Sequence, residues 1–181
     1  MSDFSKYAGN YTIDSDHSEL GFTARHAMIT KVRGNFDEFS GTVSANEDFS
    51  SVSINVEINT GSINTNNTDR DNHLRSGDFF ETEAHPQITF VSSEAKPLDE
   101  DTLRVTGDLT IKGVTKQITI DFDFNGEATD PWGQTRVGFE GETTINRRDF
   151  GLTWQTKLDN GGVLVSEKIG LKFDLSLVKQ Q

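Results

Sequence analysis

Apolar and polar residues alternate along most of this chain with a period of two, which sets successive side chains on opposite faces of a β-sheet. At 18–26, Leu20, Phe22 and Ala24 share one face while Glu19, Thr23 and Arg25 share the other. At 51–59, Val52, Ile54, Val56 and Ile58 alternate with Ser53, Asn55 and Glu57. The same rhythm predicts strands at 32–39, 87–92, 103–111, 117–125 and 136–146, a short one at 11–13, and a long last one at 163–178. In that last run Val163, Val165, Ile169, Leu171, Phe173, Leu175 and Leu177 fall on one face, interrupted by Glu167. Turns are expected at 96–101, 112–113 and 130–133.

The rhythm stops between 67 and 75, where Arg70, His73 and Leu74 stand at i, i+3 and i+4 and so share one face of a helix. Asp71 and Arg75 have the spacing of an ion pair, and positions 66–69 offer several N-caps. The helical insertion is expected over about residues 67–82. Phe79 and Phe80 are adjacent and point in different directions, so one can plug a barrel while the other packs under the insertion. A long excursion in a tightly turned β protein is commonly a lid or mouth.

About eight strands with short turns and one apolar face each predict an antiparallel sheet closed on itself, because closure removes exposed edges. A sandwich is the alternative. A barrel of that size is either filled by its own side chains or holds one small ligand, and periodicity does not choose between them. With no repeat, low-complexity tract or linker, residues 1–181 read as a single domain.

Composition sharpens this picture. Phe occurs 13 times against two Trp and two Tyr, so large rings can line an interior without hydrogen bonds to satisfy. A formal net charge of -12, with 17 basic residues scattered along the sequence, argues against nucleic acid and anionic membrane surfaces as partners, and with no apolar run near the length of a transmembrane helix no stable membrane insertion is expected. The chain has no cysteine, hence no disulfide, thiolate nucleophile or sulfur ligand. Its first residues lack the basic and apolar regions of a secretory signal, and the expected location is cytoplasmic.

Candidate chemistry is sparse. His17, His26, His73 and His85 lack metal-site spacing, and no metal is expected. His17 and His26 are expected to anchor strand ends, and His73 to pair with a carboxylate of the insertion. Phosphate loop, nucleophile elbow and dinucleotide fingerprint are all missing. Arg70 with Asp71, and Arg148 with Asp149, offer either a polar mouth or ion pairs that tie the insertion down. From pattern alone Phe22, Phe90, Phe122, Phe124, Phe139 and Phe173 read as ordinary core before ligand wall.

Six segments, in order, carry a resemblance: YTIDSDHSELGFTARH at 11–26, VRGNFDEFSG at 32–41, RDNHLRSGDFF at 70–80, HPQITFVSS at 85–93, GDLTIKGVTK at 107–116 and INRRDFGL at 145–152. Together they resemble the YceI-like family of polyisoprenoid-binding, lipocalin-like proteins. The resemblance implies an all-β fold, an extended eight-stranded antiparallel lipocalin-like β-barrel with a helical insertion, often as a homodimer. It implies a long apolar tunnel for an isoprenoid lipid, a polyprenyl chain or an isoprenoid quinone, with no catalysis and no cofactor besides the bound lipid. The tunnel would be lined by Phe22, Phe36, Phe39, Val56, Ile58, Leu74, Phe79, Phe80, Phe90, Leu109, Phe122, Phe124, Phe139, Ile169, Leu171 and Phe173. Arg70, Asp71, His73 and Arg148 would form its polar mouth. Two other readings stand beside it: an enzyme acting on a hydrophobic or prenyl substrate with His73 or Asp71 as acid or base, and a filled barrel that serves as an interaction module.

Overall fold

Eleven strands follow one another as β1 (Gly9–Ile13), β2 (Glu19–His26), β3 (Thr30–Phe36), β4 (Phe39–Ala45), β5 (Val52–Asn59), β6 (Ile63–Asn64), β7 (Gln87–Pro97), β8 (Thr102–Ile111), β9 (Val114–Thr129), β10 (Thr135–Asn146) and β11 (Lys168–Lys179). One helix, α1 (Thr68–Arg75), lies between β6 and β7. The computed structural model describes residues 4–47, 51–156, 158 and 164–180.

Every pairing is antiparallel, and the ring closes in the order β1-β4-β5-β7-β8-β9-β10-β11 because β1 pairs on both flanks. Tyr11 stands opposite Val43 on one side and Lys179 on the other. β11 divides its length: Leu177 faces Ile13 of β1, while Leu171 faces Phe22 of β2, from which β3 and β6 continue the sheet. The turns explain the short links. Lys112 and Gly113 both take positive φ, 51° and 76°, as a two-residue hairpin of matching twist requires. At the β9–β10 turn the Asp130 carboxylate accepts from the backbone N–H of Trp132 and Gln134 at 2.9 and 3.0 Å.

Apolar packing concentrates at the two ends. Phe79, Ile88, Leu109, Ile111, Phe150 and Leu152 are buried together beneath the insertion, with Leu74 and Phe80 against them. Tyr11, Val137 and Leu177 are buried at the other end, covered by Tyr7 of an N-terminal 3₁₀ turn at Phe4–Tyr7. The Tyr11 hydroxyl donates to the Tyr7 carbonyl at 2.8 Å, and burial, with Glu127 and Tyr7 adding, raises its pKa.

Several expectations need correction. The strand expected at 32–39 is two strands, because the chain turns at Asp37 and Glu38; β4 was missed since Gly41, Thr42 and Ser44 dilute its apolar alternation. The last strand begins at Lys168, not 163. Val163 lies outside the described residues, and Val165 makes a single bridge to His26. Just before β11, Ser166 takes its hydroxyl out of the pattern, accepting from the N–H of Arg25 at 2.9 Å and donating to the carbonyl of Lys168 at 3.0 Å.

The insertion is helical only over Thr68–Arg75. Asn67 caps it, its side chain accepting from the N–H of Arg70 at 3.0 Å. Ser76 ends it by adopting extended backbone while its N–H and hydroxyl both donate to the His73 carbonyl, at 3.1 and 2.6 Å. The spacing of Asp71 and Arg75 does not produce an ion pair. Arg75 instead donates to the carbonyls of Gly61 and Ile63 at 2.9 and 3.1 Å, which fastens α1 to β6.

Candidate functional site

The barrel holds a cavity of about 240 Å³ whose lining reaches from one end cluster to the other. Its wall is built by the inward face of each strand: Ile54, Val56 and Ile58 of β5, Leu103, Val105 and Leu109 of β8, and Leu171, Phe173 and Leu175 of β11. Among the described residues no polar atom reaches its surface. Whatever occupies it therefore meets carbon alone, and a hydrogen-bonding group placed inside would lose its water without compensation.

Phe22, Phe36, Val56, Ile58, Leu74, Phe79, Phe80, Phe90, Leu109, Phe122, Phe139, Ile169, Leu171 and Phe173 all line this cavity. Phe39 and Phe124 do not. Phe39 opens β4 opposite Ile58, outside the cavity. Phe124 has the inward parity of Ile120 and Phe122, but Phe4 and Tyr7 lie on its ring, with centroids 5.9 and 4.8 Å away, and take its place in the wall. The sequence holds no periodic signal for this, because the two covering rings belong to a separate 3₁₀ turn.

The phenylalanines fit because glycines lie beneath them. Gly34 stands directly across from Phe22, and a methyl group there would collide with the Phe22 ring. At Gly107 a methyl carbon would lie 2.5 Å from the Phe90 ring and 2.6 Å from the Val91 carbonyl. Each ring can thus lie flat along the wall over bare backbone instead of standing into the lumen.

The insertion seals one end through apolar side chains. Phe80 meets Phe36 edge-on at 5.9 Å, and Phe79 packs on Trp154 at 5.4 Å. His73 sits outside this seal, 4.7 Å from Trp154 between ring centroids, with its Nε2 2.9 Å from the Asp78 carboxylate. That pairing within the insertion is the one expected of His73. His17 likewise holds Asp14 at 2.8 Å, whereas His26 anchors its strand end through the backbone bridge to Val165.

The expected polar mouth does not assemble. Asp71 is buried and accepts from both the N–H and the hydroxyl of Thr65, at 2.9 and 2.5 Å. Arg70 donates to the hydroxyl and carbonyl of the same Thr65, both at 2.8 Å, not to Asp71. Arg148 lies 3.5 Å from Glu167, an exposed pair, and not with Asp149. None of Arg70, Asp71, His73 and Arg148 reaches the cavity wall. Arg70 and Asp71 fix the start of the insertion through Thr65, while the polar groups of His73 and Arg148 are taken up by the nearby carboxylates of Asp78 and Glu167. Among the described residues no group of His, Asp and Glu is arranged to hold a metal.

Sequence reasoning missed Arg147. Only 3% exposed, it sends its aliphatic stem along the cavity and turns its guanidinium away, donating to the carbonyls of Ser166, Leu152 and Val165 at 2.9, 2.7 and 3.3 Å. Burial lowers its pKa from the ordinary guanidinium value, Arg148 adds to this, and Glu167 opposes. The available signal was the pair Arg147 and Arg148 after a strand, where one side chain must face in.

Comparison with known proteins agrees with this architecture. BcnA of Burkholderia cenocepacia superposes with a TM-score of 0.79 at 24% identity, covering 91% of this chain and 98% of that one. A polyisoprenoid binding domain from Saccharophagus degradans gives 0.73 at 19% identity, covering 94% and 98%. At such identities the likeness shows the fold. The YCEI protein of Campylobacter jejuni is 30% identical, with a TM-score of 0.74 and coverage of 87% and 90%. The UPF0312 protein SAS2572 of Staphylococcus aureus strain MSSA476 is 42% identical over 169 residues, 92% of this chain and 95% of the relative. The YceI-like domain itself matches residues 11–177, and this chain belongs to that family.

Proposed function

We propose that this protein binds a long isoprenoid lipid, a polyprenyl chain or the tail of an isoprenoid quinone, and carries or stores it without chemical change. The observation that carries the reading is the all-carbon wall of the cavity inside the barrel. Burying about 0.8 kcal/mol per CH₂ makes each five-carbon unit worth roughly 3 to 4 kcal/mol before ordering costs, so a few units suffice for tight binding. The polyisoprenoid-binding domain of Saccharophagus degradans, with the same fold, supports the ligand class. His73 and Asp71, the acid or base of an enzymatic reading, stand off the wall with their partners already supplied by the insertion and by Thr65.

At about 240 Å³ the cavity is smaller than the roughly 300–1,000 Å³ of common ligand sites, so a long tail enters by turning phenylalanine rings aside. The head group stays outside. Organic extraction of freshly purified protein, followed by mass spectrometry, should find a stoichiometric lipid. Titration with a polyprenol, its phosphate and a quinone of equal tail length should give affinities within about tenfold of one another, since the tail supplies the contacts. Protein that carries no lipid and takes none up on titration would overturn the reading.

A further inference from the structure

The cations that look scattered in sequence are gathered by the sheet. Across β2 and β3, Arg25 stands opposite Lys31 and Thr23 opposite Arg33, while Lys172 of β11 stands opposite Gly21. Lys168, on the same face of β11, stands opposite Asn146. Arg25, Lys31, Arg33, Lys168 and Lys172 are all exposed on this outer face, and among the described residues none is within ion-pair distance of a carboxylate. In a chain of net charge -12 this is a local reversal of sign. The nearest carboxylate in the register is Glu142, opposite Lys172; Glu19 and Asp174 face each other at the far end of β2.

Beside this face the β2–β3 turn carries bare apolar side chains. Met28 is 58% and Ile29 79% exposed. The N–H of Ile29 donates to the His26 carbonyl at 3.1 Å, which forces Ala27 and Met28 to φ of 52° and 62°. Left-handed backbone favours Gly or Asn, so strain is retained where a methionine is presented to solvent, and such strain commonly marks function. Arg25 braces the tip, Nη1 lying 3.4 Å from the Ile29 carbonyl.

We propose that this hairpin tip and the five cations dock the barrel on an anionic lipid bilayer, Met28 and Ile29 entering the interface and the cations meeting the head groups. Apolar residues flanked by basic ones match a surface that is charged outside and oily beneath, whereas an acidic protein would supply only the charge. Lys31 and Arg33 lie on the stretch of β3 that has β2 alone beside it, since β6 pairs only at Asn35 and Phe36, so edge protection explains them, but Arg25 and Lys172 belong to strands with neighbours on both sides. The tip also adjoins the cavity wall: Ala27 N–H donates to the Leu164 carbonyl at 2.7 Å, and His26 bridges Val165, which lines the cavity as does Ala24. Docking here sets that end of the cavity toward lipid, and only this last step rests on the proposed ligand.

The test is flotation of the full chain with phosphatidylcholine vesicles, with and without phosphatidylglycerol. Binding is expected only with phosphatidylglycerol and should weaken as salt rises. Arg25→Glu with Lys31→Glu should weaken binding on the order of 25-fold or more, at about fivefold per lost cation. Ile29→Ser, which lies outside the left-handed positions, should also lose binding while its melting temperature and the lipid extracted per chain stay unchanged. Trp132→Ser, at the opposite end of the barrel, should change nothing. Failure of the unaltered chain to float at low salt, equal flotation of the charge-reversed variant, or loss of flotation in the Trp132 variant would each overturn the proposal.

Discussion

Phe80 of the insertion meets Phe36 of β3 edge-on, with ring centroids 5.9 Å apart and planes at 81°. This contact joins the segment that interrupts the strand rhythm to the wall of the cavity, since both rings also face the lumen. An aromatic pair of this geometry contributes roughly 0.5–1.5 kcal/mol beyond its buried area.

Phe80→Ala should therefore speed ligand release by roughly 2- to 10-fold, the rate equivalent of that energy. Stopped-flow displacement of a fluorescent lipid measures it. An unchanged release rate would mean that the insertion does not gate the cavity.

Gly34→Ala should drive the Phe22 ring off the β3 backbone and into the lumen. The variant is expected to lose about 1–3 kcal/mol in urea unfolding and to take up fewer isoprene units than the unaltered chain. If capacity for long tails is retained in full, the bare backbone beneath Phe22 does not set the width of the site.

Arg147→Met keeps the aliphatic stem along the cavity but removes the donors to the Leu152 and Ser166 carbonyls, while Val165 keeps the Gln155 amide at 2.6 Å. Each buried carbonyl left without a partner costs about 1–3 kcal/mol, so for two of them a loss of about 2 kcal/mol or more is expected in urea unfolding. Arg147→Lys should recover only part of it, because an ammonium lacks the fork that spans three carbonyls.

At the opposite end Arg136 bridges Asp14 at 2.6 Å and Asp130 at 3.0 Å. The hydrogen bond from Arg136 holds the Asp14 carboxyl below its ordinary range, with His17 and the Asp16 N–H helping and burial opposing. A carboxyl whose folded value is depressed contributes stability that is complete above the unfolded value, near 3.9, and is lost as pH falls through the folded one. Unfolding midpoints taken from neutral to strongly acidic pH should therefore fall less steeply in Arg136→Gln than in the unaltered chain. Parallel curves would remove Asp14 as a source of acid sensitivity.

The alternation of Leu20, Phe22 and Ala24, and of Val52 through Ile58, was enough to place most inward-facing residues, because period two is a local property of strands. Closure was not local. It depends on β1, a short strand that pairs with two others far along the chain, and no run of residues announces a second partner. The misassigned Phe124 has the same cause, since the Phe4–Tyr7 turn covers it from more than a hundred positions away. Charged residues were legible as chemistry but not as placement. Arg70 and Asp71 both turn to Thr65, a residue without any signature, while Arg147 reaches the carbonyls of Leu152, Val165 and Ser166, which no local motif announces.

The double pairing of β1 leaves the barrel without a seam. Long ladders oppose sideways entry between parted strands, as between β10 and β11, which pair without a shift from Arg136 and Val178 to Asn146 and Lys168. For the proposed ligand, loading then becomes a threading problem: a tail passes lengthwise through one end, and a few rings at that opening, not the staves of the barrel, set the rate of exchange.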